Sequence, residues 1–246
     1  MTTIQRPIDV TGRTAIMQPY FFPYVGYYQL AAAVERFIFY DDVQFIKGGF
    51  IARNKLHVGG RDLLFTVPLS GASPNKRIDE VRIDMGLYPR WRERFLRTID
   101  QNYAKAANFA EGRAVLHEVL ELEDDRISTL AARSVRLPMA RLGRSVEFLF
   151  SSRLDLRTDL KREERLFDIC DRLGIRDYIQ SQGGTTLYSC ERWRQRGLSL
   201  RFLKPVTMEY PRPGGALSGL SMLDALLHVP FDRLDPLLDR YELFTN

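Results

Sequence analysis

The sequence predicts an α/β protein with a mainly parallel, Rossmann-like sheet and helices on both faces. Three observations predict it. Short apolar runs of strand composition recur at Thr14–Met17, Arg36–Tyr40, Ser145–Phe150, Tyr178–Ile179 and Leu198–Phe202. Segments of helical period separate most of them. The piece between the first two runs, about 20 residues, is long enough for a right-handed crossover carrying a helix.

Each element follows from local chemistry. Thr14–Met17 leads into Gln18-Pro-Tyr-Phe-Phe-Pro-Tyr24, where Pro19 and Pro23 fix φ and predict a turn-like stretch. A helix is expected from Tyr24 to Val34, and the second strand ends at Asp41-Asp42. Leu56–Val58 and Leu63–Leu69 flank Gly59-Gly60, which suits a two-residue turn and predicts a β-hairpin insertion. Val81–Ile83 reads as a short strand. Over Tyr88–Tyr103, Trp91, Phe95 and Ile99 fall at helical spacing and should face the core. Ala114 to about Gly143 reads as one helical stretch that Pro138 breaks or kinks. Lys161–Leu173 is a helix stopped by Gly174. Pro211–Gly215 reads as a hinge-like loop, followed by a short helical C-terminal tail. Residues 14–246 are expected to form one domain, after a short lead, 1–13.

Composition excludes several classes. The 246 residues are 45% hydrophobic and 27% charged, an ordinary globular balance rather than a disordered or collagenous one. Two cysteines make no disulfide framework, and reduced thiols in the cytoplasm are expected. There is no apolar run long enough for a membrane span, and the lead lacks the apolar core of a signal peptide. The net charge is +5, but Arg and acids are interspersed, as in Arg90-Trp-Arg-Glu-Arg94, which reads as a solvated face. Sequence-specific nucleic-acid binding is not expected. His57, His117 and His228 have no metal-ligand spacing, so no metal site is expected.

Four segments carry candidate chemistry. The aromatic stretch with Gln18, Pro19, Tyr20, Tyr24, Gly26 and Tyr27 suits a shaped pocket wall, since buried tyrosine hydroxyls need partners. Asp41 and Asp42 follow the second strand, on the edge where open α/β sheets bind ligands. Such a pair can accept a proton, orient an amine or hold Mg²⁺. Gln44, Lys47, Arg53 and Asn54 surround Gly48-Gly49, where cations and close backbone approach suit phosphate or carboxylate. Gly183, Gly184 and Tyr188 lie in a second glycine loop whose N–H groups could receive an anion.

Met17-Gln-Pro-Tyr-Phe-Phe-Pro-Tyr-Val-Gly-Tyr-Tyr-Gln-Leu30 and Tyr40-Asp-Asp-Val-Gln-Phe-Ile-Lys47, with Arg53-Asn54, resemble the WbqC-like family of bacterial surface-polysaccharide and natural-product gene clusters. Weaker echoes are Gln101-Asn-Tyr103, the Gly183-Gly184…Tyr188 loop and Leu220-Ser-Met-Leu-Asp224. Phe50 and Ala52 depart from the Trp and Asn of the family's loop. The resemblance implies a part in making or tailoring sugars, especially amino sugars, in O-antigen-like pathways, and supplies no reaction. At the fold level, Tyr24-Val-Gly-Tyr27 is similar in position to the His-x-Gly-His of nucleotidyltransferases, with both histidines replaced.

The expected function is transfer or ligation of an acyl or aminoacyl group onto an amine of a nucleotide-linked amino sugar. Asp41, Asp42 and Lys47 are the catalytic candidates, and the other residues named above line the substrate. The cofactor is left open, with Mg²⁺-ATP the candidate, and so is the oligomeric state. The alternative is a non-catalytic protein that binds a nucleotide sugar or a partner enzyme of such a cluster.

Overall fold

The computed structural model describes residues 12–157, 159–207, 209–211 and 219–246. The lead before Gly12 and the hinge-like loop beyond Pro211 lie outside the described residues.

Strand β1 (Arg13–Met17) leads through a loop to helix α1 (Val25–Ala32) and back to β2 (Arg36–Phe39). β3 (Arg53–Val58) and β4 (Arg61–Thr66) pair antiparallel across Gly59-Gly60. Both glycines take the positive φ that such a two-residue turn requires. Short strands β5 (Leu69–Ser70) and β6 (Arg82–Ile83) precede α2 (Tyr88–Tyr103), α3 (Phe109–Val119) and α4 (Ile127–Arg141). Then come β7 (Glu147–Phe150), α5 (Arg162–Leu173), β8 (Asp177–Ser181), α6 (Cys190–Gln195) and β9 (Ser199–Pro205). The chain ends with α7 (Met222–His228), α8 (Phe231–Leu234) and β10 (Tyr241–Phe244).

Six strands form the central sheet in the order β10-β9-β8-β1-β2-β7, parallel throughout except for β10. Period-two alternation sorts its side chains into two layers. Ala15, Phe37, Phe39, Ile179 and Leu203 pack with α1, α4 and α7. Ile16, Ile38, Tyr178, Leu200 and Phe202 pack with α5 and α6, around Trp193 and Cys170. A strand buried on both faces reads as a continuous apolar run, which is why Thr14–Ile16 and Phe37–Phe39 were legible.

Two expectations need correction. The stretch from Ala114 to Gly143 is two helices, and the break lies at residues 120–126 rather than at Pro138. There the backbone pairs with β6 instead: Ile83 N–H donates to Asp125 O at 2.7 Å, and Ile127 N–H to Val81 O at 3.1 Å. Asp124 also turns its carboxylate onto Arg126 N–H (2.8 Å) and Thr129 Oγ1 (3.1 Å) at the head of α4. Pro138 stays inside α4 because the carbonyl its missing N–H would have met, Ser134 O, accepts Tyr28 Oη at 2.7 Å. The tail, in turn, is not only helical. It closes with β10, an antiparallel edge strand on β9 in the register Tyr241↔Pro205. Four residues at a sheet edge leave too short a pattern to read.

Candidate functional site

Loops from the carboxyl ends of β1, β2, β7, β8 and β9 share one rim. The loop after β1 is pinned from three directions. Phe22, at φ 41°, donates its N–H to Ser134 Oγ at 2.8 Å. Its carbonyl accepts Asn54 Nδ2 at 2.8 Å and Ser221 Oγ at 2.7 Å. Phe21 N–H reaches Phe50 O at 3.1 Å, and Met222 N–H reaches Pro23 O at 2.8 Å. A non-glycine residue at positive φ persists only where its surroundings over-determine it. Asn54 is thus buried and bonded to this loop.

The tyrosines find the partners that their burial demands. Tyr27 Oη donates to Gln18 O at 2.8 Å, and Tyr20 Oη to Gln18 Oε1 at 3.3 Å. Burial pushes the Tyr27 and Tyr28 phenols well up. Tyr20 also stacks obliquely between Tyr27 and Phe50, at 5.8 and 6.2 Å. Pro19 is buried.

Tyr24 opens onto a cavity of about 280 Å³ beyond the ends of β1, β8 and β9, walled also by Gln182, Pro205, Thr207, Tyr210 and Ser221. Gly26 matters here through packing. A Cβ at that position would lie 2.4 Å from the Tyr24 ring and 2.9 Å from Pro205. The close approach is made by the protein's own wall. Gly184 is similar, because a Cβ there would meet Gln180 Cγ at 2.6 Å and Tyr188 at 3.2 Å. Gly183 is exposed, and Tyr188 is half-buried against Trp193.

The acids lie two strand steps from β8, about 10 Å at ordinary sheet spacing. Asp41 is buried, with Oδ1 accepting Ser152 N–H at 3.0 Å and Oδ2 accepting Ser152 Oγ at 2.8 Å. Asp42 bonds Ser151 Oγ at 2.5 Å through Oδ1, and pairs with Arg165 through Oδ2. Ser151 Oγ also lies 3.3 Å from Asp41 Oδ1 and accepts Asp41 N–H at 3.1 Å. Burial raises the Asp41 pKa above its ordinary value, against the Ser152 hydrogen bonds; the negative charges of Asp79 and Asp42 raise it further. Tyr40 is pushed up to about 12 by burial and by Asp42, while Arg165 acts the other way.

Gln44, Lys47 and Phe50 are exposed on the neighbouring loop, and Gln44 bridges to Arg77. The Arg53 guanidinium approaches to 3.8 Å of where a Gly48 Cβ would sit.

Ser151, Ser152 and Arg165 were not legible as site residues, because they join the acids from the turn after β7 and from α5, more than 100 residues away in sequence. A second buried carboxylate, Asp224, accepts Tyr103 Oη at 2.7 Å and Tyr210 Oη at 2.6 Å. Two of the weaker sequence echoes, Gln101–Tyr103 and Leu220–Asp224, thus meet at one hydrogen bond beside the cavity wall.

The fold and rim define an α/β protein whose polar groups gather at the carboxyl edge of a mostly parallel sheet. The chain belongs to the WbqC-like protein family, whose sequence profile matches residues 18–235. It is also similar to the uncharacterized protein Rv1507c of Mycobacterium tuberculosis, with 30% identity over 169 residues, 68% of this chain and 71% of that one. No solved structure matches the chain. Among the described residues no helix is long and apolar enough to cross a membrane.

Proposed function

We propose that this chain is a biosynthetic enzyme that transfers or ligates an acyl or aminoacyl group onto an amine. The acceptor is the amino group of a nucleotide-linked sugar, in surface-polysaccharide or natural-product assembly. The observation that carries the reading is the shared rim, with a cavity beyond β1, β8 and β9 and two carboxylates beyond β2. The chain leaves β1 toward β2 and leaves β8 toward β9, in opposite directions along the sheet. That reversal supports a Rossmann-like reading with a ligand crevice between β1 and β8.

In this reading Gln18, Tyr20, Tyr24 and Tyr27 shape the acceptor wall, and Lys47 and Arg53 face its phosphates or a developing oxyanion. The Asp41–Asp42 pair takes the proton that the amine loses as the amide forms. The donor is either preactivated or activated by Mg²⁺-ATP. Among the described residues no group of three His, Cys, Asp or Glu could hold a metal. A Mg²⁺ ion on this rim would therefore be held mainly by nucleotide phosphates, as is usual for that ion.

A non-catalytic nucleotide-sugar or partner-enzyme binding protein is the second reading. One observation favours it: every carboxylate oxygen of Asp41 and Asp42 already has a partner within the protein.

The test is amide formation followed by mass spectrometry, with UDP-linked amino sugars as acceptors and carboxylic acids plus Mg²⁺-ATP, or acyl thioesters, as donors. Asp42→Asn should lower turnover about 100-fold or more, the usual scale for a general base. Ligand binding without turnover in the wild type would select the second reading.

A further inference from the structure

The two carboxylates face a single hydroxyl, and its one hydrogen cannot serve both. Ser151 Oγ lies 2.5 Å from Asp42 Oδ1 and 3.3 Å from Asp41 Oδ1. Its acceptor side is held by Asp41 N–H at 3.1 Å, so the hydroxyl hydrogen points toward the carboxylates. The shorter contact lies in the range of a charge-assisted O–H···O⁻ bond, which places that hydrogen toward Asp42. Ser151 itself is fully buried, so solvent does not compete for it.

The surroundings differentiate the two acids. Arg165 pairs with Asp42, and Tyr40 and Arg77 also act on that side. Asp79 and Arg126 face Asp41 from the 3₁₀ turn Ile78–Glu80 and from the head of α4. Among the described residues Asp41 is bonded by neutral donors alone, whereas Asp42 carries a guanidinium.

We propose that Ser151 relays a proton between the two carboxylates, so that a proton taken up by Asp42 is stored on Asp41. When a proton arrives on Asp42 Oδ1, the Ser151 hydroxyl turns its hydrogen to Asp41 Oδ1; the proton then passes from Asp42 to Ser151 Oγ as the Ser151 hydrogen passes to Asp41. Asp42 returns to the carboxylate, Ser151 keeps one hydrogen, and Asp41 becomes the neutral acid. Ser151 and Asp41 are therefore positioning residues that act through Asp42. The substrate end of this relay rests on the proposed amide-forming reading, whereas the exchange between the acids does not.

The experiment is a carbon-13 NMR titration of the full chain labelled in its aspartate carboxyls, with Asp41→Asn and Asp42→Asn assigning the signals. In the wild type the Asp42 signal should move in the same pH step as the Asp41 signal, because the Ser151 hydroxyl between them lets the two acids share one proton. Ser151→Ala should reduce that shared movement at least twofold, and Ser151→Thr, which keeps a hydroxyl, should restore it. An Asp42 signal that stays still through the Asp41 step, or sharing unchanged in Ser151→Ala, overturns the relay. Absence of amide formation with the sharing intact would remove the proposed reaction and leave the relay standing.

Discussion

The Tyr28 hydroxyl donates to the Ser134 carbonyl at 2.7 Å, in the place left by the N–H that Pro138 lacks. One tyrosine of the aromatic segment therefore repairs a helix more than 100 residues away. Ser134 Oγ accepts Phe22 N–H at 2.8 Å, so the same residue also pins the loop after β1. Tyr28→Phe leaves a buried carbonyl without a donor and should cost about 1–3 kcal/mol. For a chain of this length that lowers Tm by roughly 2–4 °C per kcal/mol, measurable by calorimetry.

Asn54 should behave as a loop-holding residue. Its amide bonds the carbonyl of Phe22, the residue at positive φ. Asn54→Ala should destabilise the chain by about 0.5–1.5 kcal/mol, the net worth of one hydrogen bond, because Ser221 Oγ still serves that carbonyl. It should also quicken amide hydrogen exchange at residues 21–24 more than in the sheet.

Gly26→Ala tests the packing of the cavity wall. The new methyl would fall 2.4 Å from the Tyr24 ring, so the ring must move. Overpacking of this kind costs about 1–3 kcal/mol. The Tyr24 ring resonances should shift in NMR spectra, while those of Trp193, in the opposite layer, should hold.

The fold was legible where burial writes a pattern. Phe37-Ile-Phe39 and the Trp91, Phe95, Ile99 spacing are core signals that need no partner for their reading. Gly174, at φ 65°, ends α5 for a reason local to one residue. The break between α3 and α4 was hidden because it depends on β6, a distant strand that takes the backbone hydrogen bonds. The candidate site divides in the same way. Asp41 and Asp42 stood out at a strand end, but Ser151, Ser152 and Arg165 are brought to them by tertiary folding alone. Asn54 and Gly26 were visible as unusual residues, and only contacts show that each supports the wall.

Asp41 gives stability a definite pH slope. Burial raises its folded pKa above the unfolded value, so the folded state holds the proton more tightly. Its contribution is therefore fully present below the ordinary carboxylate range and is lost as pH rises through the raised value. The wild type minus Asp41→Asn difference in unfolding free energy should fall across that window and then level off. Urea melts at intervals of half a pH unit measure it.

Both thiols should be silent in the native protein. Cys170 is buried, and that burial pushes its thiol up to about 12; Cys190 is buried with Sγ 3.2 Å from Leu200 O. A thiol reagent at pH 8 should label neither without unfolding, and both in denaturant.

The most direct measurement on the rim is a thermal-shift titration of the full chain with a UDP-linked amino sugar, with and without Mg²⁺-ATP, in the wild type and in Tyr24→Ala and Arg53→Ala. A ligand at 100 times its Kd adds about 2.7 kcal/mol, which is roughly 5–10 °C for a chain of this size. The account predicts a saturable rise in the wild type whose midpoint moves at least tenfold higher in both variants. No rise with the sugar nucleotide, or a rise that both variants keep unchanged, would contradict it.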